Sequence, residues 1–169
     1  MAISAAGTIT IDAVLSAVEN LDLSVDKKAD LTKAIRQVFT SGAGAGQFER
    51  LFVDERPLGG GATDALDFSG GGLLDVLGGA WAPGKLKFLI VQNLGPNDIQ
   101  VVRPANGIPI YTSASGGEQI PSGGILVKIW PSAAGVAVTT GTGDLLNIVN
   151  TATAANTYQI IAGGAGAAT

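Results

Sequence analysis

The sequence predicts a mainly β protein, an antiparallel β-sandwich of jelly-roll-like form with an N-terminal arm and at most one short helix. Three observations carry that expectation. β-Branched runs recur about every 8 to 12 residues from Lys85 onward with Gly, Pro or Asn between them, the pattern of a sandwich or barrel. No helix-length amphipathic stretch interrupts them, so an alternating strand–helix fold is not expected. At 169 residues the chain is long enough for one domain that buries about 70% of the surface its unfolded form exposes, with no staple required.

The elements follow in order. Residues 1–28 read as an N-terminal arm or a first strand, 29–164 as the sandwich, and 165–169, which lack anchoring side chains, as a flexible tail. Over 29–40 the pattern leaves helix and strand open. Leu31, Ile35, Val38 and Phe39 recur at helical spacing, yet Leu31, Ile35 and Phe39 also fit the odd positions of a long strand. GAGAG (42–46) is a turn, QFERLFVDERPL beyond it a returning strand, and ATDALDFS, bracketed by Gly59-Gly60-Gly61 and Gly70-Gly71-Gly72, a short one. KLKFLIVQN, IQVVRP, IPIYTS (108–113), ILVKIWP, GVAVTT, DLLNIVN and NTYQIIA then give about seven or eight strands.

Composition removes whole classes of chemistry. With no Cys and no His, disulfides, thiolate or imidazole metal sites and Ser-His-Asp or Cys-His catalysis are out, and an enzyme is not expected. No cofactor is implied. The net charge of −4 and scattered Lys and Arg argue against nucleic acid, and the absence of a basic n-region and of any long apolar run argues against a signal peptide or membrane span. Charged residues make up 14% of the chain, and only Asp98, Arg103, Glu118, Lys128 and Asp144 fall after residue 87. A β-rich surface so short of charge suits coverage by partner subunits, although a neutral Ser, Thr, Asn and Gly surface is the plain alternative.

Candidate motifs are few. Gly79 to Lys85 matches the spacing of a phosphate-binding loop, but Leu86 stands where Ser or Thr must hold magnesium and Pro83 removes an N–H from the cradle. Asp54-Glu55 and the pair Asp64 and Asp67 are the close acidic groupings; solvated surface or turn caps explain them better than a glycosidase or calcium site. Trp81, Tyr111, Trp130 and Tyr158 are candidate interface or glycan-contact aromatics. Gly141-Thr142-Gly143-Asp144 reads as a hairpin turn, with glycine allowing positive φ and Asp144 capping it.

The series LFVDERPL, Asp64-Ala65-Leu66-Asp67-Phe68, the Pro121–Ile129 turn into an apolar strand, VTTGTGDLLNIVN (138–150) and TYQIIAG (157–163) resembles a family of small virion structural proteins of tailed bacteriophages and prophages. The resemblance covers about residues 30 to 164 and is most specific at its C-terminal end. It implies a β shell or tail component without catalytic residues and tilts 29–40 toward a strand paired through GAGAG with the next. The expected function is a capsid decoration or cement protein, assembled in the bacterial host cytoplasm and located in the virion. Its partners would be the major capsid protein or other virion proteins and further copies of itself, as a trimer or ring. A tail-tube, neck or tail-associated protein, with a long hairpin from residues 29–58, and a carbohydrate-binding module are the alternatives.

Overall fold

A computed structural model describes residues 5–19, 27–70 and 72–168. The described residues form strands and loops with no helix. In chain order the strands are β1 (Gly7–Glu19), β2 (Lys27–Ser41), β3 (Gln47–Phe48), β4 (Arg50–Leu58), β5 (Thr63–Asp67) and β6 (Lys85–Asn93). There follow β7 (Ile99–Val102), β8 (Gly117–Ile120), β9 (Ile125–Ile129), β10 (Val136–Ala137), β11 (Leu145–Asn150) and β12 (Asn156–Ala165).

Two antiparallel sheets face each other. One runs β10-β6-β12-β4 with β9 also on β6, and the other runs β5-β11-β7-β8. Alternation decides what lies between them: Leu89 and Val91, Ile160 and Ala162, Leu146 and Ile148, and Ile99 and Val101 all point inward and are buried. Phe52 stacks on Trp81 with centroids 5.6 Å apart, and Phe68 meets Trp81 edge-on at 5.9 Å.

Buried amides close the ends of strands where a charged residue would be costly. Asn150 Nδ2 donates to Gly59 O at 3.1 Å and Ala154 O at 2.8 Å, and its Oδ1 accepts from Ala152 N–H. Asn93 Nδ2 likewise donates to Asn97 O and Ile120 O. Neutral side chains thus satisfy buried loop carbonyls in the charge-poor half.

Residues 29–40, left open between helix and strand, lie in β2. The expected hairpin through GAGAG does not form. β2 pairs antiparallel with β1 from Lys27 to Phe39, and only Thr40 and Ser41 pair with Gln47 and Phe48, in parallel. The loop is held elsewhere: Gly46 N–H donates to Pro131 O, and the buried Lys87 Nζ donates to Gly44, Ser132 and Ala133 carbonyls. The expected strand IPIYTS is also corrected. Residues 108–113 are an irregular loop in which Pro109 has no N–H for a ladder and Arg103 Nη1 takes Tyr111 O at 2.7 Å. The strand in that region is β8, which follows the loop. At the other terminus, Ala165 is buried and Ala168 N–H donates to Ala82 O at 3.1 Å.

Candidate interaction surface

β1 and β2 form a two-stranded ribbon with continuous register from Gly7↔Phe39 to Glu19↔Lys27. Residues opposed across such a pair share a face, and the faces alternate. Among the described side chains, one face carries the pairs Gly7↔Phe39, Ile9↔Gln37 and Ile11↔Ile35, and the other carries Thr8↔Val38, Thr10↔Arg36 and Asp12↔Ala34. The ribbon is therefore amphipathic by register. Its apolar face is open to solvent at Ile11 (44% exposed) and Ile35 (69%).

The base of that apolar face is anchored. Phe39, Phe48 and Phe88 form a second small core outside the sandwich, with ring centroids 5.3 Å apart for Phe39 and Phe88 and 5.4 Å for Phe48 and Phe88. Ile9, Leu51, Ile129 and Ile161 pack around it. Gly163 makes the room: a Cβ there would stand 2.0 Å from Phe88 Cε1. A cleft of about 240 Å³ remains beside the cluster, lined by Ile9, Phe39, Leu51, Phe88, Ile90 and Ile161.

Registers carry the apolar surface onward. Val53 opposes Ile161, Ile161 opposes Ile90, and Ile90 opposes Val127, which makes one outward row across β4, β12, β6 and β9. Val53 is 41% exposed. KLKFLIVQN reads as a continuous apolar run because β6 is apolar on both faces, with Leu89 and Val91 inward and Phe88 and Ile90 outward. Leu74, Val76 and Leu77 add a further exposed apolar loop.

Several titratable residues of the sandwich are engaged in structure. Arg56 on β4 donates to both Asp64 oxygens, at 2.6 and 3.2 Å, and Tyr158 Oη donates to Asp64 at 2.7 Å, tying β4, β5 and β12 together. Burial raises the Asp64 pKa, but the hydrogen bonds from Arg56 and Tyr158 outweigh it and hold the carboxyl below its ordinary value. Asp67 accepts from the N–H groups of Ser69 and Gly70, a turn cap rather than half of a catalytic pair. Asp144 is buried; it accepts from Ser69 Oγ and Gly141 N–H, both at 2.6 Å. Its burial raises the pKa, and these bonds more than offset that, so the group stays ionised below the usual range. Gly141 has φ +74°, the conformation the turn requires. No cluster of three metal-ligating side chains occurs among the described residues.

The four aromatics named from sequence are not brought together on one surface. Trp81 and Tyr158 lie inside the sandwich, at 2% and 0% exposure, and offer no ring to a ligand. Trp130 and Tyr111 are half-buried against the core, and Lys128 Nζ sits 4.5 Å over the Tyr111 ring. The phosphate-loop spacing ends in a strand: Lys85 opens β6, and its Nζ donates to Ala133 O. The ribbon was missed as a unit, although the alternation in GTITIDAVLSAVE carries its signal.

No family model matches the sequence, and no curated protein matches it. Among solved structures, a cupin domain from Bordetella pertussis Tohama I is 12% identical, with a TM-score of 0.37 over 90% of this chain and 94% of that one.

Proposed function

We propose that this chain is a structural protein of a tailed-bacteriophage virion, a capsid decoration or cement subunit. It works by burying apolar and main-chain surface against the shell and against its own copies, at about 25 cal/mol per Å² of apolar area removed from water. The observation that carries this reading is the amphipathic ribbon, whose apolar face is open at Ile11 and Ile35 on a chain with few charges to keep such a surface solvated. The sequence resemblance over residues 30–164 points the same way. Purified protein added to expanded empty capsids of its own phage should co-sediment with them and add regular density to their surface. Failure to bind, with the protein monomeric, overturns the decoration role.

The length of the ribbon favours a second reading, a tail-tube or neck subunit, because such rings close through long hairpins. The hairpin is β1–β2 and not the 29–58 segment expected from sequence. Electron microscopy of the protein alone separates the two: tubes or stacked rings support the tail, and discrete small oligomers support decoration.

A further inference from the structure

We propose that the Asn106-Gly107 bond is a modification site, at which asparagine rearranges to isoaspartate and aspartate through a cyclic imide, and that the turn around it gates the reaction. The inference stands apart from the virion reading and does not depend on it.

The chemistry needs only the backbone and water. The Gly107 amide gives its proton to solvent base, and its nitrogen attacks Asn106 Cγ. The Cγ–Nδ2 bond breaks, Nδ2 leaves as ammonia, and a five-membered imide forms. Water then opens the imide. Attack at Cγ leaves aspartate in an unaltered main chain, whereas attack at the Asn106 main-chain carbonyl carbon leaves isoaspartate, whose main chain runs through Cβ and Cγ and is one carbon longer. A side chain on the following residue crowds the approach of its nitrogen, and glycine has none. Asn106 is the one asparagine of the sequence that glycine follows.

Packing requires that glycine. A Cβ at Gly107 would stand 2.7 Å from Arg103 Cγ and from Pro104 Cδ and O, so the residue that makes the bond reactive is the one the loop can accept. Gly107 itself is buried, but Asn106 is exposed, which leaves its side-chain amide open to water.

The same packing restrains the reaction. Gly107 N–H donates to Pro104 O at 2.8 Å, and Asn106 O accepts from the N–H groups of Asp144 at 3.1 Å and Leu145 at 3.2 Å. The peptide plane that must rotate is therefore held through both its nitrogen and its oxygen. Beyond it, Arg103 Nε donates to Gly107 O at 3.2 Å and Ile108 N–H donates to Leu145 O at 2.9 Å. Swinging the Gly107 nitrogen onto Cγ breaks these bonds, so the rate scales with the fraction of time the turn is open. Once formed, isoaspartate does not let the turn close as before. Its extra carbon puts Gly107 and Ile108 out of step with Leu145, whose bridge to Gly107 ties this loop to β11.

The test incubates the full chain at mildly alkaline pH, native and in urea, followed by digestion in acid and mass spectrometry with fragmentation that separates isoaspartate from aspartate. In urea the peptide carrying Asn106 should gain the mass of an amide-to-acid change, with isoaspartate the larger product. In the native protein the same gain should be at least about 10-fold slower. Hydrogen exchange of the Gly107 amide measures the opening directly and needs no variant: the native slowing should match its protection factor within about threefold. Arg103→Ala, which removes the bonds to Gly107 O and Tyr111 O, should raise the native rate at least about fivefold and leave the rate in urea unchanged, with the buried Trp81 reporting by fluorescence that the sandwich is folded. Asn106→Gln, whose longer side chain disfavours the ring, should stay unmodified in both states. No mass gain in urea, equal rates in the two states, a native slowing unlike the Gly107 protection factor, aspartate without isoaspartate, or a folded Arg103→Ala protein that reacts no faster than the wild type would each overturn the proposal.

Discussion

Phe39→Ala should release the ribbon from the sandwich while leaving the sandwich folded. Phe39 is 1% exposed and sits on β2 against Phe48 and Phe88, so its loss empties the second core and touches none of the inter-sheet cluster. Truncating a buried phenylalanine costs about 3–5 kcal/mol. At the lower bound, a factor of ten per 1.4 kcal/mol raises the population of undocked ribbon by about 100-fold. Hydrogen exchange followed by mass spectrometry is the assay. Peptides covering 7–12 and 32–41 should exchange about 100-fold faster, and the β6 peptide 85–93, whose strand lies between β12 and β9, should not change. Exchange accelerated less than about fivefold in the ribbon, or equally in β6, would refute the view that this phenylalanine cluster alone docks it.

Three further outcomes follow from the same geometry. Gly163→Val puts a side chain into Phe88 and should cost about 1–3 kcal/mol in chemical denaturation, whereas Gly143→Ala, where a Cβ would meet only ordinary contacts, should cost less. Lys87→Met strands the carbonyls of Gly44, Ser132 and Ala133 and should cost about 2 kcal/mol, a drop in Tm of about 4–8 °C for a chain of this size. Asp144 has a folded-state pKa below its unfolded one, so its contribution is complete above the ordinary carboxylate pKa of about 3.9 and is lost as pH falls through the folded value. The stability advantage of wild type over Asp144→Asn should therefore be full at pH 7 and shrink in acid, measured by urea titration at each pH.

The sandwich was legible because its strands obey local rules. Leu146 and Ile148, and Tyr158 and Ile160, alternate with outward residues and are separated by Gly, Asn and Thr turns, so period and punctuation agree. Pairing across distance was less legible. Nothing local in GAGAG tells a hairpin from a loop pulled down by Lys87, a residue 43 positions from Gly44. IPIYTS has strand composition, but Pro109 and the reach of Arg103 to Tyr111 O, eight residues on, override it. The helical spacing of Leu31, Ile35 and Phe39 competes with alternation until β1 is recognised as the partner strand. For the aromatics, sequence supplies rings but not their depth, which is why Trp81 and Tyr158 read as contacts and lie in the core.

The reading of this chain as a virion component is tested most directly by quantitative mass spectrometry of purified particles from the phage or induced prophage that encodes it. The account predicts many copies per particle, retained through density-gradient banding and released together with a loss of shell or tail stability. Particles that lack the chain while the infected cell contains it would contradict the account.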